Sequence, residues 1–377
     1  MNSARVYLDH NATSPWRPEA RAAVEQALAG PPLGNPSSAH AEGRRARALL
    51  ERAREQLADL LGCPRDGLVF TSGGTEANAL ALASCRDTGA LAVSAVEHPS
   101  LLETALASPR GLVVPVDSRG RPDTSVLPAD TALLSVSTAN HETGHVQDVE
   151  ALTQTIHNIG GLFHTDGCQA LGRVSFRPFD AGSDLASVCA HKLGGPVGIG
   201  VLAARELSLL RPLVRGGGQE ADVRPGTEAV VLAVAFAAAA RAAVDALPHQ
   251  APHWRELIQR TREGVRQADP TAVFHSDDRD GLPNTLAVSF PGRHGQALVH
   301  RLDLEGCAVS HGSACASGSL RPSPVLLALG AGDDAARSVL RISLGHDTTR
   351  DDVQRFVSAL RATLADNPTH FSPKKPR

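Results

Sequence analysis

Three short stretches hold the residue types with the most chemistry to offer. SVCAHKLGGPVGIG sets Lys192 in a glycine-rich, otherwise apolar turn, in a chain where lysine is scarce and arginine common. HTDGCQ, earlier in the chain, sets Asp166 at the end of an apolar run. TSGGTEAN, Thr71 to Asn78, places two glycines between an apolar run and a helical pattern. A lysine amine can form a Schiff base. A carboxylate can keep a heteroaromatic nitrogen protonated, and a glycine turn opening a helix offers free N–H groups to a phosphate. TSGGTEAN lacks the lysine of a P-loop and the spacing of GxGxxG, so nucleotide binding is not favoured. The three features together suit pyridoxal phosphate, whose ring acts as an electron sink.

A fourth stretch, SHGSACASGSL from Ser310 to Leu320, carries one thiol, Cys315, among Gly, Ser and Ala. Such a composition gives a mobile chain rather than a packed core. The other cysteines, Cys63, Cys85, Cys168, Cys189 and Cys307, are scattered with no CxxC pair. Neither a zinc ribbon nor a disulfide framework is indicated, and a reducing cytoplasm fits best. Cys63, Cys85 and Cys307 read as small buried hydrophobes. HETGH, His141 to His145, matches the zinc-hydrolase pattern HExxH. That chemistry needs both histidines on one helix face. Here the motif follows a strand directly and contains Gly144, so a zinc hydrolase is the remote alternative and no metal is expected.

The elements that must position these residues alternate. HAEGRRARALLERAREQLADLLG has apolar residues at helical spacing, its arginines reading as a solvated face. GLVFTSGG, ALAVSAVEH, TALLSVSTA, GLFHTD and DLASVCAH read as strands separated by helices, one of which opens at Pro99. This rhythm predicts an α/β fold, a mainly parallel sheet flanked by helices. VVLAVAFAAAA reads as a buried helix, too short for a membrane span. LPHQAPHW reads as a break, after which the pattern changes to a smaller α+β unit. The expected division is a large domain over 16–255 and a small domain from 1–15 with 256–366, which carries the cysteine segment. A flexible tail is expected over 367–377. The formal charge of −3 gives no reason to expect nucleic acid or a membrane as partner, and the first residues show no signal-peptide run.

The order of YLDHNAT, GNPSSAH, FTSGGTEANALAL, EHPS, NHETG, HTDGCQALG, AHKLGGPVGIG, RPGT, SHGSACASGSL and LRISLG resembles that of the group I (NifS/IscS-like) cysteine desulfurases, class V aminotransferases. The match runs from about Tyr7 to beyond Gly345. The resemblance implies a fold-type-I pyridoxal 5'-phosphate homodimer. Such an enzyme converts L-cysteine to L-alanine and holds the sulfur as a Cys315 persulfide. Lys192 would hold the cofactor as a Schiff base, Asp166 pair with the ring nitrogen, and Gln169 bond the ring oxygen. His98 would stack on the ring and move protons. Gly74, Thr75 and His191 would bind phosphate, with Thr227 arriving from the other subunit. Arg341 would fork onto the substrate carboxylate, near Asn35; taken alone, Arg341 reads as a surface or interface arginine.

The sequence departs from the family at two places. Where Asn usually bonds the ring oxygen, this chain has His141, with Asn140 before it. Either side chain has an N–H for that bond. Where Ser usually binds phosphate, it has Cys189, a weaker donor. The neighbouring activity, selenocysteine lyase, shares the cofactor and much of the motif set, whereas a nucleophilic cysteine in a small-residue segment favours the desulfurase. The expected acceptor is a protein such as an iron–sulfur scaffold or a tRNA-thiolation enzyme.

Overall fold

The computed structural model describes residues 5–85, 89–277, 279–312 and 321–365. A short strand β1 (Val6–Tyr7) precedes helices α1 (Pro18–Leu28) and α2 (Ala41–Leu61). Then follow β2 (Leu68–Thr71), α3 (Gly74–Ser84), β3 (Ala90–Ser94), α4 (Pro99–Leu106), β4 (Gly111–Val114) and β5 (Thr131–Ser135). Next come α5 (Val149–His157), β6 (Leu162–Asp166), β7 (Leu185–Cys189), β8 (Gly200–Ala204) and the long α6 (Val230–Ala268). The remainder comprises β9 (Val273–Phe274), β10 (Thr285–Ser289), α7 (Gly295–Leu304), β11 (Cys307–Ala308), α8 (Pro324–Ala328), α9 (Asp333–Ser338), β12 (Val339–Ser343) and α10 (Arg350–Ala365).

Seven strands form the main sheet in the order β2-β8-β7-β6-β5-β3-β4. Only β8 runs against its neighbours, pairing antiparallel with both β2 and β7. The expected mainly parallel α/β sheet is therefore present. Its strands read as continuous apolar runs because helices cover both faces: every residue of β7 and β8 is buried. The strand β8, GVLAA, is not assigned from sequence, since an apolar run this short carries no periodicity to mark it. A second core gathers residues from both ends of the chain, including Val6, Leu8, Trp254, Phe290, Ile342 and Phe356. It is built on the antiparallel sheet β12-β10-β9 and the parallel pair β1-β11.

Two expectations need correction. LPHQAPHW is no break: Pro248 and Pro252 lie inside α6, which runs from the first core into the second. The division placed between 255 and 256 therefore falls within a continuous helix, and packing on both cores offsets the helix-breaking tendency of the two prolines. The arginines of α2 are also not all solvated. Arg54 is buried and forks onto Glu220, at 2.9 and 2.6 Å. Glu220 also accepts the Phe70 amide at 2.7 Å, so it ties β2 to the segment Gln219–Asp222. In that segment Glu220, Ala221 and Asp222 all adopt left-handed φ, a strained path to which this carboxylate is one of the anchors.

Glu220→Gln leaves the buried Arg54 cation with only partly exposed Glu51, 3.3 Å from its Nε, as counter-charge. The expected loss is below the roughly 3–5 kcal/mol of a fully unpaired buried charge, read as a lower urea midpoint at unchanged m. An unchanged midpoint would show that the pair contributes nothing net.

Candidate active site

β2 is antiparallel to β8, and β8 to β7, so β2, β3, β5, β6 and β7 all end at the same edge. In an α/β sheet that edge is where ligands bind. The turns leaving it border a cavity of about 240 Å³. Asp166 enters from β6, Lys192 and His191 from the turn after β7, and His98 from the turn after β3. His141 comes from the turn beyond β5, Gly74 and Thr75 from the first turn of α3, and Arg341 from β12. Gln169 and Cys189 also line it.

Asp166 is buried, which by itself would push its carboxyl up. Asn78 Nδ2 donates to it at 2.7 Å, the Cys168 amide donates at 2.8 Å, and the Lys192 charge lies nearby. These outweigh burial, and the group is held below the usual carboxylate range. Lys192 is the only lysine before Lys374. Its backbone carbonyl accepts from Arg173 at 2.8 Å and from the Ser14 hydroxyl at 3.1 Å, so the turn is fixed from two sides.

His98 is the N-cap of α4: the Ser100 amide donates to its Nδ1 at 3.1 Å, which leaves the ring proton on Nε2. It therefore caps a helix and faces the cavity at once. Burial and the Lys192 charge keep it below the usual imidazole pKa. The His141 ring meets it edge-on, with centroids 5.5 Å apart. Burial, then His98, Lys192 and Arg341, drive His141 well below its ordinary value. The Arg341 guanidinium donates to the His141 carbonyl and to Asp9, both at 2.9 Å, and its Nε is buried without a partner.

Between the two side chains left open for the ring oxygen, only His141 reaches the cavity. Asn140 is a correction: its amide donates to the Val96 carbonyl at 2.9 Å, and its oxygen accepts the Glu142 and Thr143 amides. It closes the turn rather than facing a ligand. HETGH is that turn and not a helix, with the Asn140 amide bonded to the His145 carbonyl. His145 borders a different hollow, beside His275 and Asp277, so the two histidines do not share a site. Asn35 is exposed and folds its oxygen onto the Ser37 amide, away from the cavity. Thr227 is exposed and does not line the cavity of its own chain.

Sequence reasoning did not assign Asn11, Asn78, Ser100, Ser137 or Cys168, all of which line the cavity. Asn11 and Asn78 stood inside quoted motifs, but nothing in their type distinguished them from turn and helix asparagines. Cys315 lies outside the described residues, while the residues flanking its segment are described. Ser310 pairs with Arg341 in both directions, at 3.1 and 2.8 Å. The Ser323 hydroxyl donates to buried Glu142 at 2.5 Å, and a side chain on Gly312 would come within 3.3 Å of the same carboxylate. Both ends of the segment thus meet the wall that carries His141 and Arg341.

An anionic carboxylate, one primary amine and a helix start match a protonated pyridine, an aldehyde and a phosphate, so the donor set fits pyridoxal phosphate. Gly74 keeps the floor open, because a Cβ there would stand 2.7 Å from the Cys168 sulfur. Such a fold and site define a cofactor-dependent α/β enzyme with its lysine at a strand end. The family model described as aminotransferase class-V matches residues 6–356. The cysteine desulfurase of Cereibacter sphaeroides is 39% identical over 370 residues, 94% of this chain and 95% of that protein. A solved NifS-like protein superposes with a TM-score of 0.88 at 32% identity, over 96% of this chain and 100% of that one. SspA in complex with cysteine does so with a TM-score of 0.74 at 29% identity, over 90% and 98%. The chain belongs to the aminotransferase class-V family, in its cysteine desulfurase branch.

Beside His98, burial pushes the Glu97 carboxyl up to about 8, although it accepts from the Ser137 amide at 2.9 Å. The folded protein therefore holds a proton here that the unfolded chain releases above pH 4.5. The resulting stability is present at low pH and is lost as pH rises from about 4.5 to 8, by up to about 1.4 kcal/mol per pH unit. Glu97→Gln should remove that slope from the urea-unfolding profile. Parallel profiles for the two proteins would show that Glu97 ionises normally.

Proposed function

We propose that this chain is a pyridoxal-phosphate-dependent cysteine desulfurase that converts L-cysteine to L-alanine and passes the sulfur on as a Cys315 persulfide. One observation carries the reading. Lys192, anionic Asp166 and Arg341 converge on a single cavity, and both ends of the Cys315 segment are anchored at its wall.

When bound, the cofactor withdraws electrons from the substrate Cα, which lets the carbon–sulfur bond break. Lys192 would hold it, and Asp166 would keep its ring nitrogen protonated. Gly74, Thr75 and His191 would take its phosphate, joined by Cys189, and Gln169 and His141 its ring oxygen. Arg341 receives the substrate carboxylate with its unpartnered Nε–H and orients the amino acid. The Lys192 amine accepts the α-proton, and neutral His98, protonated on Nε2, moves a proton beside it. The Cys315 thiolate then takes the sulfur. One carbon–sulfur bond breaks and one sulfur–sulfur bond forms, so cysteine and a thiol give alanine and a persulfide with no external oxidant.

A second copy of the chain completes the enzyme, with exposed Thr227 reaching its partner's phosphate site. The persulfide goes to an acceptor protein, an iron–sulfur scaffold or a tRNA-thiolation enzyme. The cytoplasm suits a chain with scattered free thiols.

The purified protein should be yellow and lose its colour on borohydride reduction, and Lys192→Ala should be colourless. Cys315→Ala should keep the colour and lose at least a hundredfold in alanine formation from L-cysteine. A Cys315→Ala variant fully active on L-cysteine would sink the persulfide route, and activity kept only on L-selenocysteine would identify a selenocysteine lyase. Arg341→Lys replaces a planar fork by a point charge. It should raise KM for L-cysteine about 10–100-fold, as for the loss of a charged hydrogen bond of roughly 1.5–3 kcal/mol, with a smaller change in kcat. An unchanged KM would place the carboxylate elsewhere.

A further inference from the structure

Cys168 lies two residues beyond β6, and Cys189 closes β7. The two strands pair in parallel with Asp166 opposite Ser187, and the Gly167 amide still bonds the Ser187 carbonyl at 2.8 Å. Carrying that register two residues further sets Cys168 beside Cys189. Neighbouring strands lie about 4.8 Å apart, inside the span of roughly 4.4–6.8 Å between Cα atoms that a disulfide needs. Both cysteines are free, and both border the cavity.

Their thiols are in contact. The Cys168 S–H bonds to Cys189, which draws Cys189 well below the usual thiol pKa, with His191 and Lys192 acting in the same direction against burial. The same bond, with burial, pushes Cys168 well above it. The pair sits under the first turn of α3: a Cβ on Gly74 would lie 2.7 Å from the Cys168 sulfur and 3.8 Å from the Cys189 Cβ. Amide dipoles at a helix start favour a thiolate.

We propose that Cys168 and Cys189 form an oxidisable dithiol that closes to a disulfide when a hydroperoxide enters the cavity. The Cys189 thiolate attacks the peroxide, the O–O bond breaks, and with hydrogen peroxide one water leaves. The Cys168 thiol then attacks the resulting sulfenic sulfur, and a second water leaves as the S–S bond forms. Two thiols are oxidised by two electrons and one peroxide is reduced. Closure removes the Cys189 thiolate and the Cys168 S–H from the end of the cavity under α3. A further consequence rests on the proposed function: cofactor phosphate bound there covers the pair and slows its oxidation.

Cys315→Ala protein, which lacks the competing thiol, is treated with hydrogen peroxide with and without added pyridoxal 5'-phosphate, then alkylated and digested with trypsin. Trypsin cuts after Arg173, between the two cysteines, so a disulfide joins two separate fragments. The expected product is that joined pair, two hydrogens lighter than the sum of its parts and formed several-fold more slowly with added cofactor. Adding Cys168→Ser or Cys189→Ser should abolish it. Alkylation of both thiols after treatment, or sulfinic and sulfonic acids without the joined pair, would overturn the dithiol. A joined pair formed at equal rates with and without cofactor would leave the disulfide standing and overturn the phosphate placement.

Discussion

Keeping the Asp166 carboxylate charged while burying it is the constraint on which the site depends. An unpaired carboxylate in an apolar interior takes up a proton instead. Asp166 escapes because three elements each send it a hydrogen bond or a charge: Asn78 from α3, the Cys168 amide from the turn after β6, and Lys192 from the turn after β7. Glu97, buried nearby, accepts hydrogen bonds from Ser137 and Ser94, but burial outweighs them, no cation adds to them as Lys192 does at Asp166, and Asp166 itself opposes its charge. The two carboxyls therefore move in opposite directions within one wall. Shifting α3 or the β7 turn would cost the site its anion before it cost the fold its core.

Burial first, and then the positive surroundings, decide the histidines. Buried beside Lys192, with Arg341 acting on His141 as well, His98 and His141 stay neutral, each with an N–H donor at one nitrogen and an acceptor at the other. For His98 the roles are fixed by helix geometry, since the Ser100 amide claims Nδ1. The capping bond thus sets a tautomer as well as a helix start.

Much of this was legible in the sequence, in unequal measure. The alternation of apolar runs and helical patterns gave the sheet, and glycines after an apolar run marked the α3 turn. Lys192 and Asp166 stood out because a lysine in an apolar turn and an acid at a strand end each ask for a partner. Arg341 did not stand out on its own, because its place depends on β12 reaching the first core's edge, a contact no local pattern encodes. Asn140 and His141 were indistinguishable by type, and only the closed turn shows which one faces inward. The two prolines of α6 misled because local breaking tendency was outweighed by packing along the whole helix. Arg54 misled for the opposite reason: its partner, Glu220, is 166 residues away.

Arg341 also explains why the chain needs both cores for one reaction. It belongs to a strand of the second core, yet its guanidinium is held by Asp9, two residues after β1, and by the His141 carbonyl from the turn beyond β5. Two of its donors are spent on this frame, so the cation is immobile before any substrate arrives. Its backbone pairs with Ser310, where the Cys315 segment departs, and Ser323, where that segment returns, is tied to Glu142 beside His141. The arginine proposed to orient the substrate carboxylate and the anchors of the Cys315 segment therefore share one frame. Under the proposed function, cargo transfer would ask the thiol to move, whereas selection of an amino acid would ask the guanidinium to stay. A guanidinium and segment anchors fixed in one frame, with a sequence of small residues between those anchors, suit both demands.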